Sequence, residues 1–550
     1  MARGSDFDLA AALARPGFTP GRGDVPALLD LIAGGADPAA QRAAAALATL
    51  GDLGLQAVLA RLAPVEGAPL GEEGARARLV GAAGILARRV GPVGEAAVAR
   101  LVAWTADPQV RVRRAAIAAL GKVGGDAARA ALIARWDAGD APPDERRTLA
   151  EALGKVGGAE ALARLRSTDT GDDAELARRR DRAVLMADRE AHRAEPSEVA
   201  ADAAPPASIA PPVVRLGCKA GLAPLLYEEL RGLGLAGPPP RRDDHVDVTL
   251  RGPWSTLFAS RLWATAAIQL GALDVARGAE PEVLGAAIVR LVTAEPTRAL
   301  LRAWTRGPIR WRLGFARGHK RAIVWRVARD VAAAAPELVN DPTATTWEIL
   351  VDDEAGTAEL VPRRLADPRT AWRSADVPAA SHPSVAAALA YLATPREGDR
   401  VWDPFCGSGL ELAECWLRGA RSLAGSDLDD AALAAARTNL DAAGATVARL
   451  AAGDARAYAP ADLLGGAPTL IITNPPLGSR VAVAAPALLA EAMHNFGRRL
   501  APGGRLVWIT PAPKRTSPAA EAIGLCLVRA FPVDLGGVRG RLERWDHPAK

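Results

Sequence analysis

Hydrophobic positions along this chain follow three successive rhythms. Up to about residue 190, alanine and leucine recur at helical spacing, as in Arg113-Arg114-Ala115-Ala116-Ile117-Ala118-Ala119-Leu120. A short motif punctuates these runs at Leu50-Gly51-Asp52-Leu53-Gly54, Val90-Gly91-Pro92-Val93-Gly94, Leu120-Gly121-Lys122-Val123-Gly124 and Leu153-Gly154-Lys155-Val156-Gly157. Each copy closes a helix, and its glycine ends that helix before the chain turns into the next. Asp107-Pro108 before Val110-Arg111-Val112-Arg113 predicts a helix start, with proline in the first turn. Periodicity then dissolves in Glu195-Pro196-Ser197 to Pro211-Pro212, which predicts a flexible linker over 191–212.

The second rhythm mixes periods. Val213-Val214-Arg215-Leu216 reads as a strand, Gly221 to Leu233 as an amphipathic helix, and His245–Leu250 as an alternating, half-buried strand. Trp347–Val351 and Ala358–Val361, joined across Asp353–Gly356, predict a hairpin. The third rhythm sets short apolar strands between Ala-rich helices: Val401-Trp402, Ser422–Gly425, a weak strand near Val447, Leu470–Thr473 and Leu506–Ile509. That alternation predicts a doubly wound, mostly parallel sheet. A helix from Pro518 and an antiparallel pair, Cys526–Val528 with Val538–Leu542, complete it.

Composition adds bounds. At 550 residues the chain divides into several domains, and 49% hydrophobic with 24% charged residues is ordinary for a soluble globular protein. No run of about 18 apolar residues appears and the N-terminus lacks a signal-peptide core, so the expected compartment is the cytoplasm, without a membrane partner. Cys218, Cys406, Cys415 and Cys526 are scattered without a Cys-X-X-Cys pair, so neither structural zinc nor any other metal is expected. A net charge of +5 is too small to identify a nucleic-acid partner by itself.

Local clustering changes that picture. Between Arg298 and Arg329 lie Arg302, Arg306, Arg310, Arg312, Arg317, Lys320, Arg321 and Arg326, with no acid in a chain holding 63 of them. Trp304, Trp311, Phe315 and Trp325 are interleaved. Arginine forks match phosphates and aromatic faces take unstacked bases, so these eight cations form a candidate RNA-binding surface. The plainer alternative makes the tryptophans core and the arginines a solvated face.

Candidate chemistry lies in the last third. Val401-Trp402-Asp403-Pro404-Phe405-Cys406-Gly407-Ser408-Gly409 is an apolar strand ending in an acid, followed by a Gly-X-Gly turn and a helical pattern. The glycines admit a ligand close to the backbone. Leu412 stands where a third dinucleotide-fingerprint glycine would fall, which suits a ligand without phosphates such as S-adenosylmethionine. Asn474-Pro475-Pro476-Leu477 ends a later strand, where the Asn oxygen and a proline carbonyl can act as paired acceptors for an NH2 group. Both prolines hold fixed φ, so that turn is stiff.

The repeats at 20–190 resemble HEAT-like repeats, most clearly over 105–166; such a solenoid offers a docking surface for a protein or an RNA. The remainder resembles THUMP-domain RNA methyltransferases. The resemblance rests on Gly221-Leu222 with Glu228-Glu229-Leu230, the basic module, the Trp347 hairpin, Ser381-His382-Pro383-Ser384-Val385 and the two motifs above. Following the all-α solenoid, which lies outside that family's usual layout, it implies a multidomain fold: an α+β part (ferredoxin-like at 213–285, THUMP-like at 286–375), then an α/β Rossmann-like methyltransferase at 376–550. It further implies S-adenosylmethionine held by Asp403, Phe405, Cys406, Gly407, Ser408, Gly409, Asp427, Leu428, Asp454, Ala455 and Asn474. Within that set Asp403 and the Cys406–Gly409 turn take the methionine moiety, Asp427 (with Asp429 as alternative) the ribose, and Asp454 the adenine amine. Asn474, Pro475, Pro476 and Leu477 are the expected catalytic turn. In this family the position of Leu477 is usually aromatic, to stack on a flipped base. The implied reaction is methylation of a guanine N2 in tRNA, with ribosomal RNA second. The rivals are amino-methylation of DNA adenine or of protein glutamine, and a catalytically weak RNA-binding adaptor.

Overall fold

The structure is a computed structural model that describes residues 8–549 except 16–17, 36–37, 64–70, 91–92, 379 and 477–484. It divides into two units. One holds residues up to Ser197 together with 307–312 and 320–345; the other holds 198–306, 313–319 and 346 onward.

The first unit is helical. Helices Glu73–Ala87, Val110–Val123, Pro143–Val156 and Ala174–Ala191 stack on one another with shorter helices between them, around one core that includes Leu86, Leu120, Leu153 and Ala187. The recurring motif turns out to use its two glycines differently. Gly124 and Gly157, at φ +74° and +64°, cap their helices at the C-terminal end. Gly121 and Gly154 lie inside the helices, and a Cβ at Gly154 would stand 2.5 Å from Ala183 Cα. In these two copies the first glycine therefore lets successive repeats approach, and only the second ends a helix. Buried or half-buried ion pairs join neighbouring repeats: Arg76 with Asp107 at 2.7 Å, Arg113 with Glu145 at 2.9 Å and Arg147 with Asp173 at 3.0 Å.

Helix Arg321–Ala334 and strand Leu338–Asn340 belong to this unit as well, so the basic module expected at 286–375 is shared between the two units. Arg189 Nε donates to the Asn340 carbonyl at 3.1 Å, and the Arg182 guanidinium lies 4.7 Å from the Trp325 ring centroid.

In the second unit, one sheet runs in the order His245–Thr249, Val213–Gly217, Thr265–Ala272, Thr357–Pro362, Trp347–Asp352, all antiparallel. The segment expected as a flexible linker needs correction. Glu198–Val199 pairs with Thr305–Arg306, Ala200 N–H donates to the Trp304 carbonyl, and the Trp304 indole N–H donates to the Ala203 carbonyl. Strand pairing and a buried indole hold 198–203 in place despite its composition.

The C-terminal sheet positions the site, and its elements are numbered here from its own start. Strands β1 (Arg400–Asp403), β2 (Ser422–Asp427), β3 (Arg449–Ala452), β4 (Leu470–Thr473), β5 (Arg505–Thr510), β6 (Cys526–Asp534) and β7 (Arg539–Asp546) run in the order β3-β2-β1-β4-β5-β7-β6. The first five are parallel; β7 is antiparallel to both β5 and β6. Helices α1 (Pro383–Ala393), α2 (Leu410–Leu417), α3 (Asp430–Ala442), α4 (Ala461–Leu464), α5 (Ala485–Arg499) and α6 (Pro513–Ala522) separate them. Helix α6 begins at Pro513, five residues earlier than expected, and Pro518 lies inside it. Trp402, Phe496 and Trp508 make successive edge-to-face contacts at 5.8 and 6.4 Å, which pins α5 onto the sheet. Among the described residues, no helix is long and apolar enough to cross a membrane.

Candidate functional site

The carboxyl ends of β1, β2 and β4 bring the marked residues together, as the topology of an open parallel sheet requires. Asp403 closes β1 and is fully buried. Its Oδ1 accepts from the Thr473 hydroxyl at 2.7 Å and from the Phe405 N–H at 3.1 Å, whereas its buried Oδ2 has no partner. Burial, and then the charge of Glu411, push its carboxyl well above the ordinary carboxylate range. A buried acceptor left open in an otherwise satisfied loop is costly, and a ligand with a donor or positive charge would complete it.

The turn after Asp403 is built for close approach. Gly407 sits at φ +48°, with nothing within 4 Å of where a Cβ would project. Gly409, at φ +80°, begins α2 and packs on α3, where a Cβ would meet Ala436 at 3.2 Å. Asp427 at the end of β2 accepts from the Gly407 N–H at 2.9 Å and from the Asp429 N–H at 3.1 Å, so it ties the two strand ends together. Asp429 itself caps α3 through the Ala431 N–H, which accounts for its carboxylate structurally. Beside Asp427, Leu428 stands 72% exposed, an apolar face open to a flat ring. Ser408 is buried and its carbonyl accepts from Asn439 Nδ2 at 3.0 Å; Phe405 is half-buried against the Trp402 cluster. Burial drives the Cys406 thiol far up, so it is inert as a nucleophile.

Asp454 follows β3. Its carboxylate is already held by Arg456, with Nη2 at 2.6 Å, which keeps it below the usual range. Neighbouring Ala455 is buried, and its carbonyl accepts from Asn495 Nδ2 at 3.0 Å.

Asn474 and the two prolines leave β4 at its carboxyl end. Asn474 Nδ2 donates to the Ser381 hydroxyl oxygen at 2.9 Å, while Oδ1 is buried without a partner. Thr473, one residue earlier, is the donor to Asp403, so consecutive residues at the end of β4 place the two open acceptors at one strand end. Leu477 lies outside the described residues. The sequence pattern did not single out Glu411, the second residue of α2. Its buried carboxylate accepts from the Ser381 hydroxyl, and burial pushes it up to about 7. Its signal was an acid set between Leu410 and Leu412 on a mostly apolar helix.

The expected RNA surface divides. Arg310 is buried, with Nη2 donating to the carbonyls of His192 and Glu195, so it cannot present its fork to a phosphate and is corrected to a structural role. Trp304 and Trp311 are fully buried core; Trp325 stays exposed. Arg302, Arg306 and Arg317 are exposed but paired with acids from elsewhere in the chain: Glu295, Glu198 with Asp202, and Glu354 respectively. Arg321 is exposed, and Arg312, Lys320 and Arg326 are half-buried.

Residues 370–541 match the RMKL-like methyltransferase domain family, and residues 98–185 match HEAT repeats. A stretch of 180 residues is 29% identical to the tRNA (guanine(10)-N2)-dimethyltransferase of Methanothermobacter thermautotrophicus, which amounts to 32% of this chain and 49% of that protein. The chain thus spans about half the length of the curated relative it matches. The crystal structure of TrmN from Thermus thermophilus shares the fold at a TM-score of 0.50 and 24% identity, over 61% of this chain and 99% of TrmN. The C-terminal sheet with its glycine turn and Asn-Pro-Pro end is therefore an RMKL-like methyltransferase domain, preceded by HEAT repeats.

Proposed function

We propose that this protein transfers the methyl group of S-adenosylmethionine to the exocyclic N2 of a guanine in structured RNA, with tRNA as the substrate and the cytoplasm as the compartment. The observation that carries this reading is Asn474 Oδ1, a buried acceptor without a protein partner at the end of β4, one residue from the donor to Asp403. The open Asp403 Oδ2, the unobstructed Gly407 and the exposed Leu428 fit the cofactor's ammonium, its close backbone approach and its adenine ring. Asp427 would take the ribose hydroxyls. Bound S-adenosylmethionine supplies an electrophilic methyl on a positively charged sulfur.

The chain's own part is to orient the acceptor. An exocyclic amine is a weak nucleophile because its lone pair is delocalised into the ring. Asn474 Oδ1 and the Pro475 carbonyl, accepting both its hydrogens, favour a pyramidal nitrogen with the lone pair free. Positioning of this kind supplies up to about 7–11 kcal/mol of a barrier, and preorganised acceptors add electrostatic stabilisation. RNA would meet Arg312, Lys320, Arg321 and Arg326 of one unit and Arg317 of the other, where a phosphate would displace Glu354 as the arginine's partner. The HEAT repeats would serve as a docking surface.

The test is transfer of labelled methyl to unmodified tRNA, ribosomal RNA and DNA, with the product nucleoside identified. N2-methylguanosine in tRNA supports the reading. Methyladenine in DNA, or no transfer to any of them while cofactor binds, overturns it.

A further inference from the structure

Helix α2 carries two buried glutamates with opposite surroundings. Glu414 is met by the Arg261 fork, with both N–O distances at 2.7 Å, an ion pair that accounts for its burial. Glu411, only 3% exposed, is met by the Ser381 hydroxyl instead. A carboxylate without a cation is an expensive thing to bury one turn from a satisfied one. Its position in the network offers a reason.

A serine hydroxyl has one proton. Donating it to Glu411 obliges Ser381 Oγ to act as acceptor toward Asn474, so the amide must turn its NH2 to the serine and its oxygen outward. The carboxylate thus determines, at two hydrogen bonds' remove, which end of Asn474 meets the target amine. A protonated Glu411 becomes a donor to Ser381 Oγ. The serine proton is then released and can go to Asn474 Oδ1 in a flipped amide, which presents donors where an amine needs acceptors.

We propose that Glu411 is a positioning residue for methyl transfer: acting through Ser381, its ionised form holds the Asn474 oxygen toward the target amine, and protonation releases that hold. The proposal rests on the role given to Asn474 above. Charged neighbours come from each packed element. Asp403 of β1 and Glu414 on the same helix bear on Glu411 or are raised by it, and Asp427 of β2 acts on Asp403. Next to Ser381, His382 is held below its ordinary value by desolvation and by Lys219, Arg373 and Arg369. Asp430, Arg437 and Asp441 of α3 lie on its exposed side, α1 contributes only Tyr391, and β4 has no charged side chain.

The experiment is the pH profile of turnover on unmodified tRNA for the full-length protein, for Glu411→Gln, and for Ser381→Ala and Ser381→Thr. Wild-type kcat should fall roughly tenfold per pH unit below a break near neutrality, with the KM for S-adenosylmethionine little changed. Glu411→Gln should lose that break. Ser381→Ala should be slow at every pH, and Ser381→Thr, which keeps the hydroxyl, should restore both rate and break. Titration of His382 or of the cofactor's amine would persist in Glu411→Gln, so an unchanged break in that variant overturns the proposal. The pH dependence of thermal unfolding without cofactor is read alongside: Glu411→Gln should flatten it between pH 5 and pH 8, and a slope equal to wild type also refutes a titrating Glu411. If wild-type protein methylates none of the nucleic acids, the reading of Asn474 fails and this proposal with it. If it methylates tRNA while Glu411→Gln tracks wild type, only the relay fails.

Discussion

At the scale of single residues, the site is defined by what is left unsatisfied. Asp403 Oδ2 and Asn474 Oδ1 are buried acceptors without a partner, although each side chain is held through its other polar atom, by Thr473 and by Ser381. Asn474→Ala should abolish methyl transfer while S-adenosylmethionine binding, read by calorimetry, stays within a few-fold of wild type. Both Asp403 and Glu411 are raised by burial. A carboxyl whose folded value lies above its unfolded one contributes stability at low pH and loses it as pH rises through the folded value. For Glu411 that window runs from about 4.5 to about 7. The cofactor-free protein should therefore lose stability across this range, by on the order of 3 kcal/mol from Glu411. A cationic ligand beside the pair offsets the loss, so its stabilising effect in thermal melts should be larger at pH 8 than at pH 5. The basic stretch sorts by the same logic. Arg310→Ala should lower the unfolding midpoint, because a buried guanidinium's carbonyl partners lose their donor. Arg317→Ala with Arg321→Ala should leave the midpoint alone and reduce the salt dependence of RNA binding by roughly one to two counterions.

At the scale of elements, much of the order was written in periodicity. The strands at Val401, Ser422, Leu470 and Leu506, the Trp347 hairpin and the strand at Val213 stand where the pattern put them, because local patterning decides which face can be buried; the weak strand expected near Val447 begins only at Arg449. The misses have physical causes. Pro518 marked a helix start by its usual preference, yet α6 starts at Pro513 and absorbs Pro518 in its interior. The repeat glycines read as terminators, while Gly121 and Gly154 are contact points between helices, which depends on a partner remote in sequence. Gly154→Ala tests this. Helix propensity alone would raise stability by up to about 1 kcal/mol, but overlap with Ala183 should make the change destabilising by about 1–3 kcal/mol in denaturant melts.

At the scale of the molecule, the unit that contains the HEAT repeats also contains 307–312 and 320–345; its last long helix supports 320–345 through Arg189 and the Arg182–Trp325 contact, and Arg310 of 307–312 bonds the carbonyls of His192 and Glu195 just beyond that helix. Removing residues 1–212 would strip Arg310 of the carbonyls of His192 and Glu195. A chain starting at Val213 should consequently unfold at a markedly lower temperature than the full protein, because 307–312 and 320–345 lose the helices they pack with. Equal midpoints would make the solenoid a dispensable appendage.

By itself the sequence determined the succession of helical repeats, mixed sheet and doubly wound sheet. It also brought Asp403, Asp427 and Asn474 to strand ends, since strand periodicity and turn chemistry are local properties. Tertiary structure alone decided which charges are free and which are consumed. The acid-free run is met by Glu198, Asp202, Glu295 and Glu354 from other segments, Arg310 is buried against 192–195, and Ser381 is set between Glu411 and Asn474. Each of these depends on which distant group desolvates or neutralises a side chain, and that pairing exists only once the chain has folded.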